Sequence, residues 1–470
     1  MINYFKKISF KQILFFLVCV LVVEFLLLKQ TPFFWDGISK SSRATWIYAN
    51  GLTEFIVPTD HNSGHPPLWI ALLAVFWTIF QKALWSSRLL LLIVNIGVVW
   101  QIVLFCKTNF LKTVSAFAVL VVCLEPTFVA QTTNLNNDML LLFFTLLSLN
   151  ALIKTKSVLF SLALTGLLFI NLRGIYIVIA IVLIHVVYSR LKLIENERSI
   201  YLAYGIALLS FVVFCYFQYE KLGWFLITQK ENYNMQRQSV GVKQVLINSI
   251  VYVKSFLEYG RFIVALFLLP LLVRYIKNKT NRSIKIDRIA IAFFVFAFIF
   301  FIGMVPFSNP IGDRYFMICY LLAIILLINL IAHYNLVNKS LIYSIIVLMF
   351  VSGHFWIYPA TISQSWDSSL AYLNSYTVED QMEDYIDSVG IKTSEIGTRV
   401  RFNERNFSEF KVITETDRYA DFNLATNKFI LLSNIDNQTK DDELNEIMNN
   451  WKLVKRYSQL GVFMSLYERE

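Results

Sequence analysis

The sequence predicts an all-α polytopic membrane protein with a small α/β domain at its C-terminus. Three observations predict it. First, 57% of the 470 residues are hydrophobic and only 16% are charged, where soluble domains carry roughly 25% charged residues. Second, apolar runs recur along the first 358 residues, many of them near the roughly 20 residues that cross a bilayer. Third, the net charge of +10 divides into two regions of opposite sign. Residues 360–470 hold 19 acidic and 12 basic side chains, and the rest hold 30 basic and 13 acidic. A basic excess in a membrane body is what inner loops supply, so it does not point to nucleic acid. The chain therefore divides into a membrane module, 1–358, and an extracytoplasmic domain, 359–470.

The elements follow in order. Spans are predicted near 11–29, 87–106, 113–130, 138–153, 157–172, 174–189, 200–217, 257–275, 289–306, 315–333 and 340–357, about eleven in all. The first is not a cleavable signal, because Lys29-Gln30-Thr31-Pro32 offers no small-residue cleavage site. With Lys6, Lys7 and Lys11 inside, the inner loops carry Lys107 and Lys112, then Lys154 and Lys156, then Arg190, Lys192 and Arg198. The cations from Arg274 to Arg288, and then Lys339, complete the pattern. Residues 66–81 are also apolar, but counting them as a span would reverse every later loop. They are read as a helix in the outer interface, rich in Trp69, Phe76, Trp77 and Phe80; an ordinary span is the alternative, which would raise the count to twelve or thirteen.

The tail changes regime. Val378–Val389 reads as an amphipathic helix and Phe429–Leu432 as a strand. Asp441–Trp451 reads as a second helix, and Lys452–Tyr457 and Val462–Tyr467 as a strand pair. No internal repeat is present. The triplet Asn406-Phe407-Ser408 is too short to carry a glycosylation argument. All five cysteines fall in or beside apolar runs, so neither a disulfide framework nor a cysteine metal site is indicated.

This topology gathers chemistry-bearing residues on one membrane face. Asp36 and His65 share the first outer loop, 30–86. Asp138 follows Thr132-Thr133-Asn134-Leu135-Asn136-Asn137, Arg173-Gly174 forms a tight outer turn, and Arg314-Tyr315 closes the last outer loop. Asp36 is placed to act as a base, its pKa raised toward useful values by partial burial, or to cap the helix-like run it opens. Asp138 has the same two readings. Arg314 and Arg173 can fork onto a phosphate or snorkel to headgroups. His65 can donate to a phosphate or shape the turn before Pro66-Pro67. Glu24 and Glu125 stand inside predicted spans, where an ionisable group implies a cavity or a paired cation.

Six of these motifs, in order, resemble the family 39-related GT-C glycosyltransferases, the group of protein O-mannosyltransferases and lipid A aminoarabinose transferases. They are the first-loop acid Asp36, His65-Pro66-Pro67-Leu68, Arg88, Asp138 after its Asn/Thr-rich turn, Arg173-Gly174 and Arg314-Tyr315. The chain departs in placing Gly37 where many members have a second acid. The resemblance implies an inverting transfer of a sugar from a polyprenyl-phosphate donor to an acceptor hydroxyl (on lipid, glycan or protein). It implies Asp36 and Asp138 as catalytic groups, with Arg314, Arg173 and His65 on the donor phosphate. No metal or other cofactor is expected, and the site is placed at the outer face of a bacterial inner membrane. A transporter or flippase of lipid-linked sugars is the alternative, and it would call for an internal repeat or broken midplane helices.

Overall fold

A computed structural model describes residues 8–195, 197–278, 280–359, 361–399 and 419–469. The helices in chain order are α1 (Phe10–Leu28), α2 (Asp36–Ala49), α3 (Leu68–Phe80), α4 (Leu84–Asn109), α5 (Ala118–Cys123) and α6 (Pro126–Thr133). There follow α7 (Asp138–Ile153), α8 (Ser157–Ile170), α9 (Arg173–Arg190), α10 (Arg198–Leu222), α11 (Glu231–Met235) and α12 (Val242–Ser255). The series ends with α13 (Phe262–Lys277), α14 (Ile284–Met304), α15 (Met317–His333), α16 (Lys339–Gly353), α17 (Asn374–Val389) and α18 (Asp441–Asn450). Among the described residues six helices are long and apolar enough to cross a membrane: α1, α4, α9, α10, α14 and the stretch Asp313–His333. α3, α7, α8 and α16 are apolar but shorter. Phe15, Leu27, Val158 and Leu208 are exposed on the flanks of the bundle, where lipid replaces water as the solvent. The protein is an integral membrane protein.

One predicted span is two helices. Residues 113–130 break between α5 and α6 because Pro126 opens a new helix and Glu125 caps it, accepting a hydrogen bond from Phe128 N–H at 2.7 Å. Proline at the first helical position, behind a capping acceptor, starts a helix and cannot continue one. The predicted span 257–275 begins at Phe262 instead, after the turn at Gly260 (φ +83°).

The helices run alternately between two ends. At one end Lys285 Nζ donates to Phe110 O at 2.6 Å and Arg288 Nε to Leu193 O at 2.8 Å, so three predicted inner loops meet there. At the other end Arg173 stands 2.6 Å from Asp138, joining the starts of α7 and α9. α3 has both flanks at that second end. His65 accepts from Leu172 N–H at 3.5 Å ahead of it, and Trp77 Nε1 donates to Ser87 Oγ at 2.8 Å near its close. Thirteen residues rise only about 20 Å, and this helix returns to the face it left.

The C-terminal domain packs α17 and α18 on a five-stranded sheet of order β2-β1-β3-β5-β4. The strands are β1 (Ile396–Thr398), β2 (Ala420–Asp421), β3 (Phe429–Ser433), β4 (Trp451–Gln459) and β5 (Val462–Arg469). β1 is parallel to β2 and β3, whereas β5 is antiparallel to β3 and β4. The β4–β5 hairpin turns on Leu460 (φ 47°) and Gly461 (φ 88°), the paired positive φ that matches strand twist. Asn406-Phe407-Ser408 lies outside the described residues. Between the last apolar helix and this domain runs a strap, Ser365–Leu373. Its Trp366, Asp367, Ser368 and Ser369 are all buried.

Candidate active site

Asp36 is the first residue of α2 but not its cap, for the capping position is Trp35 and no side chain caps the helix. Trp35 sits at φ 42°, ψ −117°, a conformation costly for a large side chain and held here by packing. Its ring stacks on buried Phe34 at 5.0 Å, and Phe34 lies 4.7 Å from Tyr372 of the strap. The aromatic knot fixes where α2 begins and so where Asp36 points. Gly37 allows α2 to lie against the Asn-rich turn, since a Cβ there would come within 2.7 Å of Leu135 O.

Arg314 is the hub. Its Nη2 pairs with Asp36, its Nη1 with Asp367, and its Nε lies 3.4 Å from Asp138. Asp138 in turn faces Arg173, whose guanidinium lies over the Tyr315 ring at 4.0 Å. Asp138 opens α7 without capping it, the cap position being Asn137. Arg88 ties the frame together. It donates to Thr31 O at 2.9 Å, to Pro32 O at 3.1 Å and to Thr133 O, fixing the segment before Asp36 to the turn before Asp138. Gly174 makes the Arg173 turn possible, because a Cβ there would strike Leu167 O at 1.9 Å.

Asp36 alone among these carboxylates opens to solvent. Its side chain is 54% exposed, against 1% for Asp138 and 4% for Asp367. The sequence reading raised its pKa by burial. Burial does push that way, but the charges of Arg314, Lys40 and Arg173 outweigh it and hold Asp36 well below the usual carboxylate range. Asp36 is therefore ionised, paired with Arg314 on one side and open to solvent on the other.

Further cations surround the opening. Lys40 Nζ donates to Asn136, and burial pulls its pKa down to about 8 against the opposing pull of Asp36 and Asp138. Arg43 reaches Ser63 Oγ, and Arg237 donates to Leu226 O at 3.2 Å and Ser63 O at 3.1 Å. Among the described residues neither Arg43 nor Arg237 pairs with a carboxylate. His65 lies among them. Burial, reinforced by Arg237, Arg43, Lys40 and Arg173, lowers its pKa well below the ordinary value. Its ring is thus neutral, and with Nδ1 accepting from Leu172 the proton sits on Nε2. A small cavity beside Arg43 and His65 has apolar walls from Val57, Ile70 and Phe214. A wider groove of about 610 Å³, lined by Ile250, Val253, Lys254, Glu258, Trp356 and Tyr358, holds none of the candidate residues. Among the described residues no cluster of three His, Cys, Asp or Glu side chains could hold a metal ion.

All five residues singled out from the sequence stand at this one end. Arg314, Arg173, Asp36 and Asp138 are joined in one ion-pair network, and His65 stands beside it. Sequence reasoning missed Lys40, Arg43, Arg237 and Asp367. Helical spacing could have found two of them, because Asp36, Lys40 and Arg43 stand at i, i+4 and i+7 on one face of α2.

Comparison with known proteins bears on the fold. Residues 64–217 match the family model described as dolichyl-phosphate-mannose-protein mannosyltransferase. Two solved structures are similar over almost the whole chain. One is ArnT from Cupriavidus metallidurans bound to undecaprenyl phosphate, with TM-score 0.55 and 11% identity, covering 96% of this chain and 97% of that one. The other is the same ArnT in its apo state, with TM-score 0.55 and 13% identity, covering 97% of each. No curated protein matches the chain. The chain has the GT-C fold.

Proposed function

We propose that this protein is an inverting glycosyltransferase that moves a sugar from a polyprenyl-phosphate donor to an acceptor hydroxyl. The observation that carries this reading is an exposed, ionised carboxylate, Asp36, paired with Arg314 and surrounded by the cations Lys40 and Arg173. The GT-C fold, the match over 64–217 and the undecaprenyl phosphate named with ArnT all point the same way.

The chemistry follows from the geometry. The acceptor oxygen attacks the anomeric carbon as the bond to the phosphate oxygen breaks, and the bonding pair leaves with the phosphate. Asp36 takes the acceptor proton, and Asp138 fixes Arg173 and Arg314 around it. A base of low pKa suffices, because the attacking hydroxyl becomes strongly acidic as it bonds to a cationic carbon. The donor phosphate also neutralises part of the charge that depresses Asp36, so the base strengthens once the donor is in place. Arg173, Lys40, Arg43, Arg237 and His65 Nε2–H would hold the phosphate. Arg314, the phosphate ligand expected from the sequence, has its guanidinium turned to three carboxylates, and we assign it chiefly to orienting Asp36. The leaving oxygen is stabilised by side-chain cations, and no metal is called on.

We further propose that the site faces outward from a bacterial inner membrane with the C-terminal domain outside, a reading supported by the lysine- and arginine-rich loops assigned to the inner side. No observation favours the transport alternative. The acceptor is any hydroxyl that can reach the face of Asp36, whether on lipid, glycan or protein.

The test is release of undecaprenyl phosphate from a panel of undecaprenyl-phosphate hexoses and pentoses by the protein in nanodiscs, with cell-envelope glycans as acceptors. Release with at least one donor, inversion at the anomeric carbon and loss in Asp36→Asn are expected. No release from any donor, together with no binding of undecaprenyl phosphate, overturns the reading.

A further inference from the structure

Asp367 lies beyond the membrane module, in the strap that leads to the C-terminal domain, yet it meets Arg314 inside the site. The strap is not loosely laid there. Gln131 Nε2 donates to Asp367 O at 2.7 Å, and Tyr259 OH donates to Ser365 O at 2.8 Å. Tyr372 OH donates to Thr133 O at 3.0 Å, and just past the strap Tyr376 OH, in the first turn of α17, donates to Pro32 O at 3.0 Å. These bonds anchor the strap on α6, on the turn before α13 and on the segment that carries Asp36. A carboxylate on so fixed a backbone has a fixed position, and that position is the edge of Arg314 opposite Asp36.

An arginine fork is a strong ligand for phosphate oxygens. In a pocket built to receive a phosphate, Arg314 would turn to it unless something holds it elsewhere. We infer that Asp367 is a positioning residue: by occupying Nη1 it keeps the Arg314 guanidinium bridged between carboxylates and off the donor phosphate, which leaves Asp36 aligned on the acceptor side. The charges facing Asp36 are Lys40 and Arg43 from its own helix, Arg314 from the turn before α15, Arg173 from α9, Asp138 from α7 and Asp367 from the strap. Lys40, Arg43, Arg173 and Arg314 thus face three carboxylates, Asp36, Asp138 and Asp367. Removing the Asp367 charge tips that balance toward a site that binds the anion more tightly and turns it over more slowly. This inference rests on the transferase reading.

The experiment compares wild type, Asp367→Asn and Asp367→Glu in nanodiscs. It measures the Kd for undecaprenyl phosphate, turnover on the donor that wild type accepts, and thermal unfolding. Asp367→Asn should bind undecaprenyl phosphate about threefold or more tightly, while kcat falls on the order of 10-fold. Asp367→Glu should keep most of the wild-type turnover and Kd. A merely structural role would weaken binding and turnover together. If Asp367→Asn does not fold, Gln131→Ala, which loosens the anchor and leaves every charge in place, should show tighter binding with slower turnover to a smaller degree. Binding that is unchanged or weaker in a folded variant, with wild type active, removes Asp367 from this role and leaves the transferase reading standing. A wild type that neither binds undecaprenyl phosphate nor releases it from any donor fails that reading, and this inference falls with it.

Discussion

Among the described residues two arginines stand between carboxylates, and they differ in what surrounds them. Arg261 pairs with Glu125 at 3.0 Å and with Asp313, donates to Thr127 Oγ1 at 2.7 Å and lies over the Tyr320 ring at 4.1 Å. Arg314 pairs with Asp36 and Asp367 and approaches Asp138. Asp313 and Arg314 are neighbours in sequence, so the two networks share a backbone. The Arg261 network is closed, with side-chain exposure of 4% for Arg261, 0% for Glu125 and 2% for Asp313. The Arg314 network has one open member, Asp36. Burial and ion pairing therefore do not mark a reactive site by themselves. An accessible member beside cations without carboxylate partners does.

The comparison breaks most visibly at Asp36. Asp36→Asn should lower turnover on the order of 10²-fold or more and leave the unfolding temperature close to wild type, since the side chain is exposed and nearly isosteric. Near-normal turnover would make the open network as inert as the closed one. Arg261→Gln should do the reverse. It leaves two buried carboxylates without their cation, a loss of about 3–5 kcal/mol, read as a lower unfolding temperature or failure to accumulate folded protein. A stable, inactive Arg261→Gln would show that the closed network also serves catalysis.

A finer cut comes at Arg314→Lys. A point charge cannot bridge Asp36 and Asp367 as a planar fork does, so turnover should fall about 10-fold while the chain stays folded. Full activity would mean that charge alone, not its geometry, matters at the hub.

How much of this was legible in the sequence depended on how local its cause was. Apolar runs gave the helices, and the Arg-rich and Lys-rich loops gave their alternation. The break between α5 and α6 escaped because a hydropathy window averages over Glu125-Pro126, two residues that between them end one helix and start the next. The five candidate residues were found because each sits at a recognisable corner between an apolar run and a polar turn. Lys40 and Arg43 were passed over although their spacing from Asp36 puts them on its face. Arg237 and Asp367 had no local sign. They reach the site only through the fold, one from a loop of mixed charge and the other from a strap read as the approach to a separate domain. The low pKa of Asp36 was equally out of reach, because the cation that lowers it most, Arg314, is 278 residues away in sequence.

The smallest expected effect concerns Lys40, and its sign separates binding from folding. Burial holds Lys40 near 8 in the folded chain, against about 10.4 for an unperturbed lysine. Below pH 8 the ammonium is charged and adds to the field that holds a phosphate. As pH rises through 8 that charge is lost, so donor affinity should weaken a few-fold between about pH 7 and 9. Stability moves the other way. The unfolded chain binds this proton more tightly than the folded one, so Lys40 contributes a penalty that is fully present below pH 8 and is relieved as pH climbs toward 10. Lys40→Met removes both effects, and the difference between wild type and variant isolates them from the other titrating groups. Undecaprenyl phosphate affinity and urea unfolding, each measured across pH 7 to 10, should therefore show the wild type losing affinity and gaining stability relative to the variant. If both properties rise or fall together, the Lys40 charge is not buried beside the phosphate site, and the cation cluster must be redrawn without it.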